Sequence, residues 1–410
     1  MSAGLATAEV SRRVGLGAGA IIGGRVTLAL APSALTRLAA GRDVVLVSGT
    51  NGKTTTSHLL AAALRTASAV AHNASGANMA DGAVAALAAD RAAPRAVLEV
   101  DELHLGRVAA AVEPAVVVLL NLSRDQLDRG TEVRAVAAAL GAALTAHPHT
   151  TVVANADDPM VVWAARECAR IVWVSTGGRW SGDTGSCPQC GRGLHRARGT
   201  TGDRRWWCGC GLTRPDPHWT LTGTVAMAGA GAAVPVTVGL PGQVNRANAV
   251  TAMATAALLG VDPSRAGAAM AQVRDIAGRY ASLPHRGREL RLLLAKNPAG
   301  WAETLGVLDP TRPLIVVINA READGRDTSW LWDVEFEELA AGPVVAAGER
   351  CADLGVRLSY AGITHATACD PLAALELLPP GPVDVVANYT AFLQLHRRLH
   401  AAAAHPEQTR

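Results

Sequence analysis

The chain has 410 residues, 49% of them hydrophobic, which is enough for two or three domains with cores of their own. Its formal net charge is only +3, from 38 basic and 35 acidic residues, so the balance gives no strong pull toward nucleic acid or an anionic membrane surface. Only two of the 38 basic residues, Lys53 and Lys296, are lysines. Where a chain uses arginine almost everywhere, a retained lysine marks a need for a compact ammonium in place of a planar guanidinium. Lys53 fits that account, whereas chance survival is the plainer one for Lys296.

Residues 12–31 place Arg12-Arg13 before an apolar-looking stretch, but Arg25 interrupts it and its glycines weaken a helix. No uncharged run there reaches the roughly 18 residues that a membrane span needs. A cytoplasmic protein without a transmembrane segment is expected. Seven cysteines, four of them in two tight pairs, suit metal ligation in a reducing compartment better than a disulfide framework.

Residues 44–60, VVLVSGTNGKTTTSHLL, run from a strand through a glycine-bracketed turn into a helical pattern. Such a turn converges backbone N–H groups on an anion, and the helix aims its positive end at the same point. The common P-loop would place its first glycine at Val47; here the turn reads Gly49-Thr50-Asn51-Gly52-Lys53-Thr54, followed by Thr55. Lys53 supplies a mobile charge for a nucleoside triphosphate, and Thr54 a hydroxyl for Mg²⁺. The plainer alternative, a glycine turn at an ordinary strand-to-helix corner, leaves Lys-Thr-Thr-Thr unexplained.

Four further apolar runs follow, at 96–100, 115–121, 151–155 and 171–175, with alanine-rich helical stretches between them. This alternation predicts βαβ units and a mostly parallel sheet covered on both faces. Polar residues at the C-terminal ends of such strands enter the ligand crevice. Glu99 is the carboxylate expected to hold Mg²⁺, directly or through water. Asp101 and Asp125, taken singly, read better as solvated strand ends.

The periodicity breaks between 176 and 218, where Cys187-Pro-Gln-Cys190 and Cys208-Gly-Cys210 stand a short loop apart. Two close pairs of this kind can close a tetrahedral thiolate site for Zn²⁺, with His195 or His218 as possible substitutes. Four cysteine ligands leave no open position, so the site would be structural. Trp206 and Trp207 could stack on bases, but packing over the ribbon is the better use. From 240, LPGQVNRANAV opens a long helix with Asn245 and Asn248 near its start, able to read an adenine edge or simply to cap. A second α/β stretch then runs through ELRLLLAKNP at 289–298, 313–320, 343–349 and 382–390, after a boundary near 276–288. Its loop after Ala320 collects Glu322, Asp324, Asp327, Asp333 and Glu335, either in a functional crevice or at a solvated helix start.

SGTNGKTTT, NLSRDQLD, NADDP and the pattern Gly242, Asn245, Asn248 resemble the Mur ligase family of ATP-dependent acid–amine ligases. The cysteine ribbon with AKNPAGW, ADGRDTSWLWD and ANYTA is similar to a branch of that family that works with a glutaminase. The likeness covers nearly the whole chain from about residue 40. It implies an α/β architecture: an N-terminal segment (1–40), a Mur ligase-like central P-loop domain with a parallel-rich sheet (41–280), an inserted four-cysteine zinc ribbon (about 183–215), and a Rossmann-like C-terminal α/β domain (285–410).

The implied reaction amidates the D-glutamate α-carboxyl of the lipid II stem peptide at the membrane surface. ATP phosphorylates the carboxylate, and ammonia from a separate GatD-like glutaminase subunit, a heterodimer partner, displaces phosphate. Thr50, Asn51, Gly52, Lys53, Thr54, Thr55, Glu99 and Asn248 would bind the nucleotide, with Thr54 and Glu99 on magnesium and Cys187, Cys190, Cys208 and Cys210 on zinc. Asp327 would complete the partner's Cys–His pair, with Asp324 and Asp333 as fallbacks; the competing role for Asp327 is capping the following helix. The chain departs from the family in three places. Gln126 replaces a metal-binding histidine, no lysine lies between Lys53 and Lys296 to be carbamylated, and Leu293 and Lys296 replace an aspartate and a histidine beside the ribose. A free-standing acid–amino acid ligase and a zinc-ribbon nucleic-acid-binding ATPase are the rival readings.

Overall fold

The computed structural model describes residues 20–124, 132–177, 185–198, 204–229, 231, 233–276, 278–339 and 342–404. They fall into two compact units. The first takes the described residues up to Ser123, from 132 to Gly239 and from Val244 to Arg274; the second consists chiefly of residues from Asp275 onward.

Six parallel strands organise the first unit: β1 (Asp43–Ser48), β2 (Val70–His72), β3 (Arg95–Glu99), β4 (Val116–Leu119), β5 (Thr151–Asn155) and β6 (Ile171–Ser175). They lie in the order β6-β5-β4-β1-β3-β2. The five apolar runs read from the sequence all became strands, because helices cover both faces and alternation is not required. One face is covered by α1 (Ala20–Leu30), α2 (Ala34–Ala39), α4 (Ala80–Ala89), α5 (Leu105–Val112), α6 (Val133–Thr145) and α7 (Pro159–Ala165), over a core containing Leu46, Leu98, Val84 and Leu140. The other carries α3 (Lys53–Arg65), α8 (Gln243–Leu258) and α9 (Pro263–Met270) over Val45, Val47, Leu60 and Met253. Because β3 and β4 flank β1 on opposite sides, the strand order reverses at β1. A crevice therefore opens at its C-terminal end, which is where β1 hands over to α3.

The glycines near residue 24 do not abolish helix α1. They let it pack: a Cβ on Gly24 would stand 2.0 Å from the carbonyl oxygen of Asp81 on α4. Arg25 Nε donates to Asp81 at 3.0 Å across the same contact. The described part of the first 40 residues is thus built into the first unit.

Beyond β6 the sheet continues through β9 (Trp219–Thr222), β10 (Val225–Ala228) and β11 (Ala233–Pro235), the last two antiparallel. Between β6 and β9 stands a separate hairpin of β7 (His195–Arg198) and β8 (Arg204–Trp207).

The second unit has strands β12 (Tyr280–His285), β13 (Arg288–Leu294), β14 (Leu314–Val317), β15 (Val344–Ala347), β16 (His365–Ala368) and β17 (Val383–Ala387), ordered β12-β13-β17-β14-β15-β16. Only β12–β13 is antiparallel, closed by Arg286 and Gly287, both at positive φ. Helices α10 (Pro298–Leu305), α11 (Cys351–Tyr360) and α12 (Tyr389–Ala404) alternate with the parallel strands. Asn297 caps α10 by accepting from Gly300 N at 2.8 Å, with Pro298 at the first helical position.

Arg291 on β13 and Asp384 on β17 are register partners, and Arg291 Nε donates to the carboxylate at 2.8 Å. Asp384 is 1% exposed, and its removal leaves the Arg291 guanidinium without its carboxylate at the sheet. Asp384→Ala is expected to lower the unfolding free energy of this unit by about 3–5 kcal/mol, read by guanidinium denaturation of the full chain.

Candidate active site

The turn after β1 is built on two glycines in the left-handed half of φ space, Gly49 at 136° and Gly52 at 86°. A Cβ on Gly49 would meet the Asn121 carbonyl oxygen at 2.9 Å, and one on Gly52 would meet Asn248 Oδ1 at 2.8 Å. Neither position has room for a side chain. The loop is pinned from β4's end: Thr50 N donates to Asn121 O, Asn51 N to Asn121 Oδ1, and Asn121 Nδ2 back to Asn51 O, each at 2.9 Å. Thr50 Oγ1 also donates to Ser123 O at 3.1 Å and accepts from Ser123 N at 3.0 Å. Helix α3 starts at Lys53 with glycine at its N-cap, so no capping side chain competes for its first-turn N–H groups.

Lys53 is nearly buried, and its ammonium donates to Gly49 O, to Thr50 O at 3.4 Å and to Glu102 Oε2 at 3.1 Å. Thr54 Oγ1 donates to Glu99 Oε2 at 2.8 Å, bringing together the two oxygens expected to hold magnesium. Glu99 is itself held by Asn73, whose amide donates to Glu99 O and accepts from Glu99 N, both at 2.8 Å. Ser57 Oγ donates to Thr54 O at 2.9 Å and lies 3.1 Å from His72 Nε2. Burial, then the neighbouring His58 and Arg65, hold His72 down at about 3, so it stays neutral. Thr55 is buried in the same turn, and Asn248 reaches the cradle from α8.

Of the nucleotide-site residues expected from the sequence, the structure gathers Thr50 through Thr55, Glu99 and Asn248 around one turn. Asp101 instead closes a local turn by accepting from Leu103 N at 3.0 Å. Asp125 and Gln126 lie outside the described residues. Glu102 and Asn73 were missed by sequence reasoning, although Glu102 stands three residues past Glu99 at the same strand end. A turn whose two glycines leave no room for a Cβ, a buried ammonium and two converging hard oxygens fit a polyphosphate and its Mg²⁺.

In the insert, the Sγ atoms of Cys187, Cys190, Cys208 and Cys210 lie within 4.8 Å of one another. Two of the edges measure 3.6 Å (Cys187–Cys210) and 3.5 Å (Cys190–Cys208). A tetrahedron of sulfurs about 2.3 Å from a metal has edges of about 3.8 Å, so the four thiols suit one tetrahedral ion. Each pair forms a tight knuckle: Gly191 N donates to Cys187 O at 2.8 Å and Gly211 N to Cys208 O at 3.0 Å. Burial holds Cys187 up at about 12, while the backbone N–H and then the guanidinium of Arg192 bring Cys190 down to about 6.

His218 takes no part in the sulfur cluster; its Nδ1 accepts from Trp173 N at 2.9 Å. His195 stacks on the exposed Trp207, whereas Trp206 is buried against the ribbon and donates to Ala156 O at 3.2 Å. Asp157 of the NADDP stretch anchors the insert by accepting from Arg214 Nε at 2.9 Å, nearly buried on both sides.

In the second unit Asp324 is committed to structure. It accepts from Thr390 N at 2.8 Å and from the Thr390 hydroxyl, tying the acidic loop to the start of α12. Asp327 and Asp333 are exposed. Asp327 accepts from Ser329 N at 2.8 Å, and the Ser329 backbone and hydroxyl hold its carboxyl below the usual range. Cys168 is pushed up to about 11 by burial and then by Glu167, and burial also raises Cys351. Neither is an activated nucleophile.

This fold and cradle resemble those of the Mur ligases. The Mur ligase middle domain family matches residues 47–183, and the MurT ligase C-terminal family matches 294–392. Solved structures of similar fold include a pseudomurein peptide ligase type C from Methanothermus fervidus (TM-score 0.67, 18% identity, 88% of this chain and 79% of that one) and MurF from Acinetobacter baumannii (0.64, 16%, 90% and 78%). More narrowly, the chain resembles MurT. It is 29% identical to the lipid II isoglutaminyl synthase (glutamine-hydrolyzing) subunit MurT of Streptococcus pneumoniae over 94% of this chain and 93% of that protein, and 29% identical to the Staphylococcus aureus COL subunit over 78% of each. No helix among the described residues is long and apolar enough to cross a membrane.

Two outcomes follow from the geometry. Lys53→Ala is expected to abolish nucleotide hydrolysis with the fold intact by circular dichroism, and Glu99→Gln to shift the Mg²⁺ titration of that activity to higher concentration. Metal analysis of the full chain should find one zinc per chain, and Cys187→Ser should lower the melting temperature more than it lowers activity per folded molecule; zinc-free protein with normal melting would contradict this.

Proposed function

We propose that the chain is the ATP-dependent synthetase subunit of a lipid II isoglutaminyl synthase, amidating the D-glutamate α-carboxyl of the stem peptide from the cytoplasmic side of the membrane. The observation that carries this reading is the pairing of the Gly49–Thr54 cradle with a C-terminal region of the MurT kind. The cradle amides and Lys53 bind and orient the triphosphate so that its terminal phosphoryl group faces the substrate carboxylate. Mg²⁺, held by Thr54 and Glu99, would neutralise charge on the transferring phosphate. Asn73 keeps Glu99 aimed, and Asn248 closes the wall beside Gly52. Ammonia then displaces phosphate from the acyl phosphate and leaves the amide. Zinc on the four thiolates would be structural, since four protein ligands fill a tetrahedral ion.

Hydrolysis of glutamine needs an activated cysteine; Cys168 and Cys351 have raised thiols and the exposed Cys369 has no histidine contact among the described residues, which supports a partner as its source. A GatD-like glutaminase would supply the Cys–His pair, with Asp327 orienting the histidine. Its exposed and ionised carboxylate is suited to that contact, and the bond from Ser329 fixes its direction. Asp327→Asn in the assembled complex is expected to cut glutamine-driven amidation of lipid II by roughly 10²-fold or more while sparing amidation driven by free ammonium. Retained glutamine-driven activity would show that the partner completes its own triad.

A further inference from the structure

The Lys53–Glu102 pair is unusual for its place. A lysine that serves a polyphosphate is held, in this structure, by a carboxylate at 3.1 Å, with both side chains almost out of water at 8% and 12% exposure. When phosphate takes the lysine, Glu102 loses the ammonium it holds. It is then left beside the reacting group, about two hydrogen-bond lengths or roughly 6 Å from the phosphate that Lys53 contacts. A nearly buried carboxylate stripped of its cation requires a replacement. The group it already binds, an alkylammonium, differs from the incoming nitrogen nucleophile only by its carbon stem.

We infer that Glu102 is the residue that receives the nitrogen substrate: it binds ammonium in the place vacated by Lys53 and takes up the proton the nitrogen must lose. The inference rests on the acyl-phosphate reading above. Ammonium first yields a proton to the Glu102 carboxylate, which hands it on to water, leaving neutral ammonia beside an ionised Glu102. The nitrogen lone pair then forms the C–N bond, the carbonyl carbon's bond to the phosphate oxygen breaks, and inorganic phosphate departs with that electron pair. The proton shed by the amide nitrogen passes to the Glu102 carboxylate and from there to water. Nothing is oxidised or reduced. Glu102 thereby has one task in each state, neutralising Lys53 before nucleotide binds and serving the nucleophile afterwards.

The test uses the full chain with ATP, Mg²⁺ and lipid II, comparing ammonium chloride with hydroxylamine as nucleophile. Hydroxylamine is largely unprotonated at neutral pH and traps acyl phosphates without needing a carboxylate to deprotonate it first. Glu102→Gln is expected to lower ammonium-driven amidation by about 10²-fold or more, the range of a lost general base, while hydroxamate formation stays within about threefold of the unaltered chain. Glu102→Asp should recover at least about tenfold of the loss, because it restores the carboxylate one methylene short. Amidation by Glu102→Gln at near the normal rate would overturn the role. So would an equal fall in amide and hydroxamate, which would place Glu102 in the phosphoryl step. If the unaltered chain forms no hydroxamate, the acyl-phosphate reading itself fails, and this role with it.

Discussion

A polyphosphate is bound by donors that converge on one point, and the turn between β1 and α3 converges them only because Gly49 and Gly52 carry no side chains. The rest of the first unit serves that turn. β1 sits where the strand order reverses, so its C-terminal end opens into the crevice instead of against a neighbouring crossover. β4 supplies Asn121, whose three hydrogen bonds fix the loop, and β3 supplies Glu99, held in turn by Asn73 past the end of β2. Three strand ends therefore set the positions of one ammonium, one hydroxyl and one carboxylate. A shift in any of these strands would be felt at the phosphate.

Much of this was legible in the amino-acid sequence, for identifiable reasons. Strands covered on both faces read as unbroken apolar runs, so β1, β3, β4, β5 and β6 stood out, as did β13, β14, β15 and β17. Glycines next to Lys-Thr mark a backbone conformation that few other contexts require. What escaped was of two kinds. β2 has three residues, and β9 to β11 lie in a glycine-rich stretch at the sheet edge where only one face is packed, so neither length nor periodicity marked them. The side-chain partnerships were equally hidden. Glu102 beside Lys53 and Asp324 beside Thr390 join residues 49 and 66 positions apart, and no local pattern encodes such a distance. Asp324 and Asp327 are the same letter in the same loop. Only the partner of the first, Thr390, shows that it tethers that loop.

The insert illustrates how a site far from the chemistry can still constrain it. The ribbon contributes few apolar side chains: Cys187, Trp206, Cys208 and Leu212 are buried against Val162 of α7, too few to order a lobe without help. It is braced at one end by the four thiols and at the other by Asp157, which accepts from Arg214 and from the backbone N–H groups of Thr176 and Gly177 at 2.8 Å. Asp157 follows β5 directly, and its neighbour Asp158 caps α7 and accepts from Leu122 N at 2.8 Å. Leu122 adjoins Asn121. The ribbon is thus connected through two consecutive aspartates to the residue that pins the phosphate loop, so an ion held by the four thiols would brace that connection as well as the ribbon.

Two of the buried ion pairs, one taken from each unit, divide along the difference between arginine and lysine. Arg291 meets Asp384 through Nε and Nη2 together, a planar fork on a planar carboxylate, and the pair is locked between register partners on adjacent strands. Such a geometry suits permanence, since breaking it loses two directed bonds at once. Lys53 meets Glu102 by a single contact from a rotatable ammonium, supplemented by two carbonyl oxygens of its own loop. A point charge of that kind can exchange one anion for another without reorienting a plane. A chain with 38 basic residues and two lysines has kept one of those lysines at the place where the counter-ion has to change. An arginine there would hold Glu102 as Arg291 holds Asp384, and the phosphate would have to displace a fork instead of a single bond.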